Sequence, residues 1–231
     1  MCRLLGVIGS GYPPAVFREF ALLARKGHVD GWGLVCFHYD RPRILGLSHN
    51  SIIDEMSMYL SASSDALRLG SRVVVAHIRR ASPGIPVCIA NTQPFVYDRW
   101  VFCHNGTVRD IGRLDTRLPV SGSSDSEKLF KYIVQLIIDG FSLGEALKHI
   151  RSVVVDYTAL NFILSDGGML YAYRDYRLNG DYYTLFYLRG EGYVIVCSEV
   201  LEAVDGVWIP LGNRSLLSIG MDLALKIDRI A

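Results

Sequence analysis

Apolar positions recur along the chain in two rhythms. Short runs of β-branched and aromatic residues bounded by Gly, Asp or Pro predict strands over residues 2–8, 32–39, 72–79, 100–104, 159–165, 169–174, 182–188 and 193–197. Helical spacing predicts helices over residues 15–26, 51–60, 125–139 and 143–153. Ser124, with Glu127 three residues later, has the spacing of a capping box for the third of these. Strands therefore dominate both ends, and the two best helices lie together in the middle. The fully apolar run Val73-Val74-Val75-Ala76 predicts a strand covered on both faces, which two packed sheets with helices outside would provide. Pattern alone leaves α+β and α/β open.

A chain of 231 residues that is 50% hydrophobic can bury one substantial core, so residues 1–231 are expected to form a single domain. No linker, low-complexity block or solenoid repeat interrupts it. With 24 basic against 23 acidic side chains and a formal charge of +1, the chain has no broad field for a polyanion, and no Lys/Arg run marks a nucleic-acid arm. Apolar stretches are broken before membrane-spanning length, as Asp156 does within residues 153–164, so no membrane is expected. The Met1 to Gly9 start lacks a cleavage pattern and reads as a first strand rather than a signal peptide. The five cysteines, Cys2, Cys36, Cys88, Cys103 and Cys197, show no C-x-x-C pair and no zinc-ligand spacing. Reduced thiols in a cytoplasm and no metal follow as expectations.

Four short segments carry candidate chemistry. Cys2 becomes the N-terminus once Met1 is trimmed, and its thiol (reference pKa about 8.5) then sits beside an α-amine of about 7.7–8.0 that can take its proton. Read alone, Cys2 fits a small buried strand residue at least as well. Strand alternation puts Val75, His77 and Arg79 on one face, and an Arg leaving a buried strand suits an α-carboxylate, which its planar fork can clasp twice. An internal ion pair or a solvated strand end is the alternative for Arg79 and the preferred reading for Arg80. Asn105-Gly106 reads by itself as a hairpin turn. As chemistry, the Asn amide and a following Gly N–H could converge on a developing oxyanion. Asp125, in Ser123-Ser124-Asp125-Ser126-Glu127, suits a first helical turn and could equally grip a substrate ammonium. Arg79 and Asp125 together would hold the head of an amino acid.

In order and type these segments resemble the class II glutamine amidotransferase family of N-terminal-nucleophile (Ntn) hydrolases, in particular its stand-alone YafJ-like and γ-glutamyl hydrolase members. The likeness rests on the Met-Cys start, His28-Val29-Asp30-Gly31-Trp32-Gly33-Leu34, His77 to Ser82, Asn91-Thr92-Gln93-Pro94-Phe95, His104-Asn105-Gly106 and Ser124-Asp125-Ser126-Glu127. Ser198-Glu199-Val200-Leu201, Trp208 and residues 213–219 extend it. It implies a four-layer αββα sandwich of the α+β class with the nucleophile at the start of a strand. It also implies Cys2 as nucleophile, Asn105 and Gly106 as oxyanion hole, and Arg79, Ser82 and Asp125 as substrate-binding residues. Ser82 keeps the hydroxyl of a Thr common in relatives, and Gln93 stands where His is common. Asp30 and Trp32 are expected in structure and pocket wall.

The resemblance implies hydrolysis of a γ-glutamyl amide or glutamine through a Cys2 thioester, without metal or organic cofactor. A separate synthase receiving ammonia is a possible partner, because no second domain is expected in the chain. An N-acyl amidase has no need of the Arg79–Asp125 pair, and a non-catalytic scaffold has no need of Cys2 with Asn105-Gly106. Selectivity for the leaving group is expected from loop residues between Ser82 and Phe95 and from neighbouring aromatic walls.

Overall fold

A computed structural model describes residues 2–231, so the expected removal of Met1 concerns a residue outside the described range. In chain order the elements are β1 (Arg3–Gly9), α1 (Ala15–Leu22), β2 (Trp32–His38), β3 (Arg41–Ser48), α2 (Met56–Arg68), β4 (Val73–Ile78), β5 (Phe95–Tyr97) and β6 (Trp100–Asn105). They continue with α3 (Asp125–Ile138), α4 (Leu143–Val153), β7 (Asn161–Ser165), β8 (Met169–Arg174), β9 (Phe186–Gly190), β10 (Tyr193–Cys197), β11 (Trp208–Pro210), β12 (Ser215–Gly220) and β13 (Leu225–Arg229). The strands form two antiparallel sheets, ordered β11-β9-β10-β1-β4-β2-β3 and β13-β12-β8-β7-β6-β5.

Side-chain alternation builds three apolar layers between four structural ones. On β1, Leu5 and Val7 face α1 and α2 with Phe17, Phe20 and Tyr59, while Leu4 and Ile8 face the other sheet with Val75, Val101, Cys103 and Ile163. The far face of the second sheet, carrying Phe102, Phe162 and Tyr173, packs on Phe130, Ile133, Leu147 and Ile150 of α3 and α4. The result is the αββα sandwich that the resemblance implies. The run Val73 to Ala76 is buried throughout, because β4 lies inside its sheet between β1 and β2.

Several expectations need correction. The helix expected over 51–60 begins at Met56 and runs to Arg68. Past the expected end, Ser63 and Ser64 donate to the Leu60 carbonyl from within the helix. Ser124 does cap α3, but its hydroxyl accepts from the Ser126 N–H, and Glu127 turns back to accept from Ser121 and Gly122. The complete capping box is Ser142 with Glu145 on α4. The strand expected at 182–188 is displaced to Phe186–Gly190. Asn105-Gly106 forms no two-residue hairpin: Asn105 ends β6 opposite Asn161, and the chain continues to α3. Trp32 is no pocket wall. It points toward α2, edge-on to Tyr59, with its indole N–H on Glu55.

Candidate active site

Adjacent strands bring the chemistry together at one end of the sandwich. β1 and β4 are antiparallel with Arg3 opposite Ile78 and Leu4 opposite His77, so Cys2 and Arg79 leave the same end of the sheet as neighbours. β6 ends at Asn105 in the facing sheet, and α3 starts at Asp125. A cavity of about 300 Å³ lies between these ends, and Cys2, Arg79, Ser82, Asn105, Gly106 and Asp125 all line it. The structure therefore gathers all six sequence-designated residues.

Their hydrogen bonding separates braced atoms from open ones. Asp30 accepts from the Ala81 N–H at 2.8 Å and its own N–H reaches the Arg79 carbonyl, which fixes the chain around Arg79. The Arg79 guanidinium is buried and donates to the carbonyls of Asp30 (3.4 Å) and Pro86 (3.0 Å), and no carboxylate pairs with it among the described residues. Arg80 is exposed, as expected from its face. One Asp125 oxygen accepts from Val108 N–H at 2.7 Å, and the helix start favours its negative charge. Ser82 and Thr107 hydroxyls meet at 3.3 Å across the cavity wall. The Asn105 side chain is 1% exposed, and neither its Nδ2 nor its Oδ1 has a partner.

Two glycines permit close approaches that the site needs. A Cβ on Gly106 would lie 1.9 Å from the Ala159 carbonyl oxygen, so only glycine lets the chain leave β6 at this point. A Cβ on Gly33 would lie 2.3 Å from the Gln93 carbonyl oxygen, so Gly33 admits the 93–94 segment against β2. Gln93 then accepts from the His104 N–H through Oε1 at 2.6 Å, holding the strand residue just before Asn105. A glutamine in place of the common histidine keeps that loop anchored.

Burial holds the Cys2 thiol and the buried histidines His77 and His104 toward their uncharged forms. Burial pushes the Cys2 thiol pKa up, opposed by the Arg80 backbone and the Arg79 charge and reinforced by Asp125. Cys2 nevertheless keeps part of its surface open to the cavity, whereas Cys36, Cys103 and Cys197 are buried, and burial lifts Cys197 to about 12. A thiol of raised pKa needs a proton acceptor within the reaction itself. Burial, with Arg79 and the other histidines adding, holds His77 well below its usual pKa. His104 is also lowered by burial; its Nε2 faces the Ala159 carbonyl at 3.2 Å and so bears the proton, leaving Nδ1 to accept from Ser126 at 2.9 Å. Both rings are thereby held as weak bases.

Sequence reasoning missed Thr107 and Tyr182 on the cavity wall and assigned no role to Asn91. Thr107 directly follows the Asn-Gly pair, which is a usable signal. Tyr182 was read as the first residue of a strand, which concealed it.

A profile of the class-II glutamine amidotransferases matches residues 1–188, so the chain belongs to that family. It is 31% identical over 198 residues to an uncharacterized protein of Methanocaldococcus jannaschii, aligning over 77% of this chain and 52% of that one; it spans about half of that relative. A gamma-glutamyl-hercynylcysteine sulfoxide hydrolase of Mycobacterium tuberculosis is 28% identical over 233 residues, covering 95% of this chain and 93% of the relative. Among solved structures, a glutamine amidotransferase class-II domain protein from Silicibacter pomeroyi superposes with TM-score 0.66 at 22% identity over 100% of both chains. The glutamine phosphoribosylpyrophosphate amidotransferase of B. subtilis gives 0.74 at 17% identity over 100% of this chain and 49% of that one. These two likenesses establish the Ntn-hydrolase fold.

Proposed function

We propose that the protein hydrolyses a γ-glutamyl amide through a Cys2 thioester. The observation that carries this reading is the Asn105 amide, buried without a partner on the wall that Cys2 shares. Such a group costs stability unless something in the reaction pairs with it.

Removal of Met1 frees the Cys2 α-amine, which takes the thiol proton as sulfur attacks the side-chain carbonyl. The carbonyl oxygen gains charge and meets Asn105 Nδ2 and the Gly106 N–H, donors worth roughly 2.7–4 kcal/mol each to a tetrahedral intermediate when preorganised. The amine returns the proton to the leaving nitrogen, the C–N bond breaks, and a γ-glutamyl thioester remains. Water repeats the sequence: the amine accepts its proton, the C–S bond breaks, and the thiolate recovers the proton as glutamate leaves. Arg79 holds the α-carboxylate and Asp125 the α-ammonium, with the Ser82 hydroxyl beside them.

A larger leaving group than ammonia is favoured by the cavity's surroundings. Tyr182 also lines an adjoining cleft of about 610 Å³, walled by Arg3, Thr184 and Glu199, where an extended amine has room. The near full-length alignment with the mycobacterial hydrolase supports the same choice. No helix among the described residues is long and apolar enough to cross a membrane, and the five free thiols fit a cytoplasmic setting.

Intact-mass measurement with a substrate panel tests the reading. Native protein should lack Met1, be labelled at Cys2 by a diazo-ketone glutamine analogue, and cleave γ-glutamyl amines with higher kcat/KM than glutamine; Cys2→Ser should lose most activity. Glutamine as best substrate, and only beside an added synthase, would identify a detached amidotransferase subunit instead. Labelling at Cys103 or Cys197 with Cys2 silent would refute the nucleophile.

A further inference from the structure

We infer that Asn91 is a positioning residue that fixes the spacing between the two halves of the amino-acid clamp, and this rests on the γ-glutamyl reading above. Asn91 is 2% exposed and uses both ends of its amide. Its Nδ2 donates to the Pro86 carbonyl at 3.1 Å, the same oxygen that accepts from Arg79 Nη2 at 3.0 Å. Its Oδ1 accepts from the Ser123 N–H at 2.9 Å, and Nδ2 also reaches the Ser123 hydroxyl at 3.2 Å. Ser123 stands two residues before Asp125. One side chain thus joins the carbonyl that braces Arg79 to the segment that presents Asp125.

Other contacts make this joint stiff. Glu127 accepts from Ser121 and Gly122, tying the same segment back onto α3. A Cβ on Gly122 would sit 2.4 Å from Asn91 Oδ1, so the backbone at 122–123 is pressed against the amide. On the other side, the Pro86 carbonyl lies in the loop after β4, where residues 79–88 contain no regular element. Without the Asn91 donor, that carbonyl is held from Arg79 alone. An α-amino acid head presents its ammonium and carboxylate at a fixed separation, so drift of either partner weakens recognition of both. Asn91 borders the cavity, but its amide is committed to Pro86 and Ser123, so it acts on the substrate by positioning Arg79 and Asp125, and its loss should act on binding and leave the thiol chemistry intact.

Two variants separate this role from general structural damage. Asn91→Ala removes both contacts; Asn91→Asp keeps the acceptor for Ser123 and the side-chain volume but replaces the donor facing Pro86. Each should raise KM for a γ-glutamyl amide about tenfold with kcat within about twofold, the signature of lost uniform binding. Cys2 labelling by the diazo-ketone glutamine analogue at low concentration should slow by the same factor, while Cys2 alkylation by iodoacetamide keeps its wild-type rate. In the double variant with Arg79→Lys, the two KM effects should combine to less than their product, since both act through one contact. Unchanged diazo-ketone labelling in a folded variant, equal slowing by both reagents, or fully multiplicative KM effects would overturn the inference. Wild-type protein that reacts with iodoacetamide but ignores the diazo-ketone would overturn the γ-glutamyl reading and this inference together.

Discussion

Asn105 and Asn161 sit opposite each other on neighbouring strands, each 1% exposed, and their hydrogen bonding could hardly differ more. Asn161 donates to the Tyr183 carbonyl at 3.1 Å and accepts from the Asp175 N–H at 3.0 Å. Around it Asp175 receives the hydroxyls of Tyr157 and Tyr173 and the Arg151 guanidinium, while Arg174 donates to three carbonyls. Asn105 has nothing. One residue type on one rung of a sheet thus serves two ends. The satisfied amide stabilises the scaffold, whereas the open one leaves a desolvated donor free for the proposed oxyanion, a charge that would exist only during reaction.

The sharpest way to break this comparison is to remove the open amide. Asn105→Ala should lower kcat by about 10² to 10³ with KM little changed, because the donor acts mainly on the transition state. The unfolding transition should stay where it is or rise, since an unpaired buried group costs about 1–3 kcal/mol while present. A large loss of stability with kcat intact would mean that Asn105 belongs with Asn161.

The converse change should do the converse. Asn161→Ala strands the Asp175 N–H, while the Tyr183 carbonyl keeps the Arg174 Nε at 2.8 Å, so denaturant unfolding should show a loss of about 1–3 kcal/mol. The folded fraction should retain kcat within a few-fold.

The scaffold was legible in the sequence wherever strands are buried on both faces, as in β1 and β4. Edge and near-edge pieces were not. β3 starts with exposed Arg41 and contains Pro42, both usual on an edge, and β13 has no fully buried position; neither shows the dense apolar run by which strands are recognised. The candidate site was legible through the order of its segments, each of them ambiguous alone: Arg79 just past one apolar strand, Asn105-Gly106 at the end of another, Asp125 at a helix start. What the sequence concealed were relations across the chain. Nothing local in Glu127 says that it folds back onto Ser121 and Gly122, and nothing local in Asn91 says that it meets Pro86 and Ser123. The opposite hydrogen bonding of Asn105 and Asn161 is visible only once both are placed on one rung.

Arg79→Lys tests whether the open cation belongs to binding rather than to catalysis. An ammonium cannot reproduce a two-pronged contact with a carboxylate, so KM should rise about tenfold with kcat nearly constant. A selective fall in kcat would move Arg79 from substrate binding to the reacting centre.

The smallest expected effect separates the two regions by pH. If the Cys2 α-amine is the base, kcat/KM should rise with pH and level off near the amine's reference value of about 7.7–8.0, a few-fold change between pH 7 and 8. Stability should respond in another window. His77 and His104 have folded pKa values lowered by burial, so below the unfolded value near 6.5 the unfolded chain binds protons that the folded chain refuses. Their contribution is therefore fully present above pH 6.5 and is lost as pH falls toward the folded values, by up to about 1.4 kcal/mol per proton per pH unit. Between pH 7 and 8, then, activity should climb while the unfolding free energy stays flat, and below 6.5 the fold should weaken. Denaturant titrations across pH 5–8 beside kcat/KM on the same samples check both halves. Activity that instead tracks stability through pH 6.5 would place a histidine, and not the N-terminal amine, in control of the reaction.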